Sequence, residues 1–167
     1  DDGTRVGNIR DSVRIFGGGA ETYWRIGLKK ESLEFGLITL DLMKQNNFSN
    51  IELMITSWSV GAGFIDVGEP DSAKAYFKKA LAYPGESQNM KTLKYRNIIS
   101  LGWLYYSEGK IDSALYYLQT AYDFYEKNGF LYWALNTSRG LGYIYYKMDK
   151  LNTAERYLLC SERIFNE

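Results

Sequence analysis

The chain has 167 residues and no histidine, a single cysteine and two prolines. Without histidine, Ser–His and Cys–His nucleophile pairs and nearly all transition-metal sites are excluded. Cys160 alone makes neither an internal disulfide nor a thiolate cluster for zinc; its offset in the repeat described below makes it a small buried filler on a second helix. No sign of charge is in excess, since 20 basic residues face 20 acidic ones. A neutral chain has no strong pull on nucleic acid or an anionic membrane. No stretch approaches about 18 consecutive apolar residues, so no transmembrane helix is expected. Gly17-Gly18-Gly19 lacks the Gly-Lys-Ser/Thr ending of a phosphate loop and no strand precedes it, so it reads as a hinge between helices. Asp, Glu, Lys, Tyr and Cys160 are the reactive groups left, and they form no constellation, so no catalytic, cofactor or metal site is expected and the chain reads as a non-enzyme. It begins Asp1-Asp2-Gly3 without an initiator Met and reads as a fragment or processed form. The expected location is cytoplasmic, or periplasmic if a signal or anchor lies outside this sequence.

What is present is aromatic. Fifteen Tyr, eight Phe and four Trp stand in a chain that is 46% apolar, enough for one domain with a real core. The residues also repeat. Ile98–Ala121 carries Gly102, Tyr105, Gly109, Ala114, Leu118 and Ala121. The same pattern occurs earlier as Gly61, Phe64, Gly68, Ala73, Phe77 and Ala80, and later as Gly142, Tyr145, Ala154 and Leu158. Self-similarity at a fixed period is the signature of stacked repeats. Gly inside a helix costs about 1 kcal/mol relative to Ala. Its return at Gly61, Gly102 and Gly142 therefore implies close approach of a neighbouring helix. Ala73, Ala114 and Ala154 serve the same packing from the second helices.

Taken in order, Val6, Ile9, Val13 and Phe16 have helical spacing, Gly17–Gly19 interrupts, and Ala20–Ile26 resumes. Ser32–Met43 is the next helix, with either Ser32 or Leu33 in the place of Ala114. Gln45–Asn50 forms a turn rich in capping residues. Ile51–Val67 and Asp71–Ala82 pair next, with Pro70 suited to a helix start and Pro84-Gly85 to a stop. Ser87–Glu108 with Asp112–Lys127, then Phe130–Met148 with Asn152–Phe165, complete the series. Asp71-Ser72, Asp112-Ser113 and Asn152-Thr153 are expected to cap the second helices. In the pairs Tyr105-Tyr106, Tyr116-Tyr117 and Tyr145-Tyr146 one ring is expected to face the core and its neighbour to point elsewhere. Asn47-Phe48-Ser49 and Asn136-Thr137-Ser138 match the glycan acceptor pattern by chance. The result is one domain, 1–167, of four helix hairpins at about 4–46, 49–83, 87–127 and 129–167.

Small residue, Tyr, Gly, then Ala, an aromatic or Leu, and Ala resembles the tetratricopeptide repeat (TPR). With Gly102 as the eighth repeat position, Tyr105, Gly109, Ala114, Leu118 and Ala121 fall on the signature positions of that family. The resemblance covers most of residues 20–167 and is loosest over 20–40. The period here is about 40 residues rather than 34, and Ile98 and Ser138 stand where the family has its first-helix Trp. The longer form looks like arrays of bacterial signalling and transcriptional regulators and of kinesin-light-chain-like proteins. The resemblance implies an all-α, right-handed superhelical solenoid of antiparallel helix pairs, whose first helices line a concave groove for peptides or protein segments. By offset, the groove residues are Trp58, Ala62, Ile65 and Asp66, then Arg96, Ile99, Trp103 and Tyr106, then Asn136, Arg139, Tyr143, Tyr146 and Lys147, with Trp24 and Arg25 extending the row. Ile99, Trp103 and Ala62 occupy the places of the family's Lys and Asn carboxylate clamp, which speaks against such a clamp. The expected function is a non-enzymatic scaffold that binds a protein or peptide segment; the alternative is a sensing module of a larger bacterial signalling or transcriptional regulator. Self-association through an uncapped end is a further expectation.

Overall fold

The computed structural model describes the backbone of residues 3–166 and the side chains of residues 9–159, so Cys160 and Val6 have side chains outside the described residues. Among the described residues all regular structure is helical. The helices are α1 (Gly3–Arg25), α2 (Lys29–Gln45), α3 (Asn50–Asp66), α4 (Pro70–Leu81), α5 (Gln88–Ser107), α6 (Ile111–Lys127), α7 (Leu131–Lys147) and α8 (Leu151–Asn166). Packing divides the chain into two compact units, Asp1–Leu93 and Lys94–Glu167, and each is described by itself.

In the first unit α1 packs on α2, α2 on α3 and α3 on α4. Met54, Ala80 and Met90 form a buried cluster flanked by Ile51, Tyr83 and Leu93. The expected hinge at Gly17–Gly19 is absent, because α1 runs unbroken through it. The reason is local packing. A methyl group on Gly19 would lie 2.7 Å from Phe35 Cδ1. The missing side chain lets the Phe35 ring settle against α1 between Phe16, at 5.7 Å, and Tyr23, at 5.0 Å. Tertiary contact thus offsets the poor helix propensity of glycine. The register of α2 is also settled. Ser32 is the fourth residue of α2 as Ala114 is of α6, and its hydroxyl donates to the Ala20 carbonyl at 2.8 Å.

The second unit is built on rings. Ala114, Leu118, Ala121, Tyr122 and Tyr125 of α6 pack with Ala134, Leu141 and Ile144 of α7. Tyr95 of α5 stacks on Phe124 of α6 at 3.8 Å, and Tyr145 of α7 on Tyr157 of α8 at 5.6 Å. Ser138 of α7 donates to the Tyr157 carbonyl, which ties α7 to α8 where other first helices carry apolar side chains or Ser57.

The repeated glycines do mark close approach. A methyl group at Gly61 would lie 2.6 Å from Phe77, and one at Gly102 or Gly142 would lie 3.0 Å from Leu118 or Leu158. In each case the neighbour is the second helix of the same hairpin.

Apart from the α4–α5 connection, the turns share a left-handed residue after the helix end. After α5, Gly109 takes a φ of 74°, its N–H donates to the Tyr106 carbonyl at 3.0 Å, and the Lys110 N–H donates to Tyr105 at 2.9 Å. This is a Schellman closure, which satisfies carbonyls that the helix end leaves open. The same pair of bonds recurs at Gly27, Gly68, Gly129 and Asp149, and at Asn47, also left-handed, the Phe48 N–H donates to the Met43 carbonyl at 3.2 Å. It also corrects the expected caps. The left-handed residue hands the chain straight into the next helix, so α4, α6 and α8 begin at Pro70, Ile111 and Leu151. Asp71 and Asp112 therefore lie inside the first turn, where their charge suits the helix dipole, while the preceding Glu69 and Lys110 make no side-chain cap bond. A side-chain cap does occur before α3, where Ser49 and Glu52 form a reciprocal capping box. The Ser49 bonds hold the Glu52 carboxyl below its ordinary range.

Candidate binding surface

The residues in question project from the first helices of the hairpins. In the second unit these are α5, from Lys94 on, and α7. Residues three and four apart share a helix face. Ile99, Trp103 and Tyr106 thus form one stripe on α5, and Arg139, Tyr143 and Lys147 one on α7. The stripes meet. Trp103 lies edge-on to Tyr106 at 5.8 Å, and Tyr106 edge-on to Tyr143 at 6.0 Å. The Lys147 ammonium sits 5.6 Å above the Tyr143 ring. Edge-to-face contact suits the ring quadrupoles, and a cation over the ring face suits them too.

Trp103 and Tyr143 remain 38% and 45% exposed although they touch this row, and Tyr146, one turn along, is 59% exposed. Exposed rings held by their neighbours are preorganised to accept an apolar side chain. Tyr106, at the centre of the row, is half-buried and packs on the core of the unit. Burial first, and then the adjoining Tyr143 hydroxyl, push its phenol above the ordinary range. It therefore stays a neutral ring at any physiological pH.

Gly140 completes the arrangement and was not visible from the repeat. A methyl group there would lie 2.8 Å from Trp103 Cζ2, so the indole lies against bare α7 backbone. Gly140 falls outside the recurring glycine position, and its partner is distant in sequence, so no local pattern signals it.

The remaining positions divide. Ile99 is half-buried and packs on the core. Arg139 is exposed on α7, and Asn136 is exposed with its amide donating to the Tyr132 carbonyl of its own helix at 2.8 Å. Arg96 differs in kind. It is half-buried beside the Tyr125 phenol, and burial lowers its guanidinium from the ordinary value. Tyr125 is fully buried and is pushed well above the ordinary range. Arg96 shares the helix face of Ile99 and Trp103 but is more enclosed than Trp103.

Trp58 and Ile65 belong to the first unit, where Trp58 is half-buried and Ile65 is 44% exposed. Asp66 accepts from the Trp24 indole N–H at 3.0 Å and lies 4.0 Å from the Lys29 ammonium. Trp24 and Asp66, both named from the sequence, are therefore in direct contact. Lys29 was missed because it lies at the start of a second helix. No group of three or more metal-ligating side chains converges among the described residues. None of the described helices is long and apolar enough to cross a membrane.

No family model matches the chain, and no curated protein sequence does. Solved structures do. Aspartyl phosphate phosphatase F from Bacillus subtilis superposes with a TM-score of 0.83 at 20% identity, over 93% of this chain and 40% of its own. A Rap protein complexed with competence and sporulation factor matches with a TM-score of 0.75 at 19% identity, over 96% of this chain and 45% of its own. A kinesin-light-chain-type protein of Podosopora anserina, with nearly identical TPR-like repeats, gives 0.68 at 13% identity, over 91% and 74%. The chain spans less than half the length of the phosphatase and of the Rap protein. Its fold is the all-α, TPR-like helical-repeat solenoid fold.

Proposed function

We propose that the chain is a non-enzymatic scaffold that binds a protein or peptide segment, and that the Trp103–Tyr106–Tyr143 row is its principal contact. The observation that carries this is the row itself: large rings, fixed by one another and by bare backbone at Gly140, yet left open to solvent. Trp, Tyr and Arg are the residues that most often dominate binding energy, and here Arg139 and Tyr146 border the rings. Support comes from the fold, since a Rap protein of the same architecture carries a bound factor. Trp58 and Ile65 are secondary contacts of the first unit in this reading. The same match favours a second reading, in which the chain is the sensing part of a longer regulator.

Selection from a displayed library of random peptides tests the first reading. The protein is used beside a Trp103→Ala, Tyr143→Ala double variant whose circular dichroism matches. The expected result is a set of peptides sharing an apolar or aromatic residue, with affinity for the double variant lower by roughly tenfold to a hundredfold. Peptides that bind both proteins equally would place the contact elsewhere.

A further inference from the structure

The charges around the row are one-sided. From Lys94 to the end of α5, and along all of α7, the sequence carries Lys94, Arg96, Arg139 and Lys147 and no acidic residue. The acidic residues of this unit with described side chains lie elsewhere. Asp112, Asp123 and Glu126 are on α6, Glu155 is on α8, and Glu108 and Asp149 are in turns. The chain as a whole is neutral, so this is a local imbalance of α5 from Lys94 on and of α7, not a general basic character.

The α7 stripe sets the spacing. Arg139, Tyr143 and Lys147 are exposed and follow one another every four residues, so a cation stands on either side of a ring. Four helical residues rise about 6 Å, and alternate residues of an extended chain are about 6.6 Å apart. An extended segment lying along α7 keeps step with this stripe at every second residue. Trp103 and Tyr106 of α5 flank the middle position. From this we infer that the row takes an acidic segment with an aromatic or large apolar side chain, in the order acidic, any, aromatic, any, acidic. The aromatic side chain meets Trp103 and Tyr143, and the two carboxylates meet Arg139 and Lys147. The absence of any carboxylate on the facing helices removes the repulsion that would otherwise oppose such a partner. This inference rests on the row being a binding surface.

The test uses labelled synthetic peptides and fluorescence anisotropy. One carries Glu-x-Phe-x-Glu; others replace both Glu by Gln, both Glu by Lys, or Phe by Ala. They are measured against wild type, Trp103→Ala, and an Arg139→Gln, Lys147→Gln double variant. The Glu peptide should bind about tenfold tighter than the Gln peptide at low salt, with a smaller margin at high salt. The Lys peptide should be weakest. The double variant should lose that tenfold preference, binding the Glu and Gln peptides alike. Equal binding of Glu and Gln peptides, or a preference that survives in the double variant, overturns the charge inference. Continued loss with Trp103→Ala or with the Phe-to-Ala peptide would then leave the binding surface standing. If no peptide binds, or Trp103→Ala binds them all as wild type does, the surface reading falls and the charge inference with it.

Discussion

The two units build the same helical hairpins from different side chains. The first holds three tyrosines, Tyr23, Tyr76 and Tyr83, and eleven of the sixteen glycines; the second holds the other twelve of fifteen tyrosines and five glycines. In the first, helices approach because side chains are missing, as where Phe77 lies against Gly61 and Phe35 against Gly19. In the second, close approaches at Gly102 and Gly142 are joined by many packed rings, as where Tyr125 stacks on Trp133 at 5.8 Å. Protein interiors reach one packing density by either route. The two routes differ in how they fail. The first unit is sensitive to added atoms and the second to removed ones.

A pair of substitutions breaks or sustains that contrast. Tyr125→Ala empties a fully buried site and should cost about 3–5 kcal/mol in urea unfolding, with lost hydrogen-exchange protection concentrated in α6 and α7. Gly61→Ala drives a methyl group to 2.6 Å from a Phe77 ring that is itself buried, and should cost about 1–3 kcal/mol. Gly102→Ala, at the same repeat position in the second unit, meets Leu118 at 3.0 Å. Leu118 Cγ and Cδ2, at 3.0 and 3.1 Å, need give only by a few tenths of an ångström, and the gain of about 1 kcal/mol in helix propensity offsets most of the strain. Its net effect should be near zero. Equal costs for Gly61→Ala and Gly102→Ala would show that the neighbour's shape does not decide the outcome.

Alkaline pH should separate the units without mutation. Tyr117, Tyr125 and Tyr157, all in the second unit, have phenols raised above the ordinary value, chiefly by burial. Their unfolded counterparts ionise near pH 10, at about the model-peptide value. Above that pH the native state holds protons that the unfolded state has released. The stabilisation is thus complete below about pH 10 and is lost as pH rises beyond it. Hydrogen exchange combined with phenolate absorbance should show α6–α8 losing protection before α2–α4. Simultaneous loss would mean that the buried tyrosines do not set the alkaline limit.

Much of the architecture was legible because it is periodic. Gly61, Gly102 and Gly142 announced close approaches, and the helices fall within a few residues of where apolar spacing puts them. What was hidden depends on partners far along the chain. Gly17–Gly19 reads as a break until Phe35 is brought against it, and Gly140 is unremarkable until Trp103 lies on it. The side-chain caps were misplaced because Asp-Ser before an apolar run resembles a cap, whereas the Schellman bonds had already fixed the start of the helix one or two residues earlier. For the surface, offset alone aligned Trp103, Tyr106 and Tyr143, which do touch. The same offset puts Arg96 on their face but does not show that it is half-buried, because periodicity reports a position on a helix and not how deep its neighbours bury it.

The turns show where the two units should not differ. Gly68 in the first and Gly109 in the second both hold positive φ, and an added methyl group would meet nothing within 4 Å at either. Any cost of Ala there is therefore one of backbone conformation, about 1 kcal/mol for an L-residue in the left-handed region. Gly68→Ala and Gly109→Ala should lower stability by that amount, within about 0.5 kcal/mol of each other. Asp149 adopts the same conformation with a φ of 59° and carries the strain already. Asp149→Gly should accordingly raise stability, by about 0.5 kcal/mol, because the relief of strain exceeds the extra freedom that glycine gives the unfolded chain. Thermal unfolding of the three variants beside wild type measures this. A loss on Asp149→Gly would mean that the aspartate side chain contributes to closing the last turn, which would then owe its geometry to more than the left-handed backbone shared by the other five.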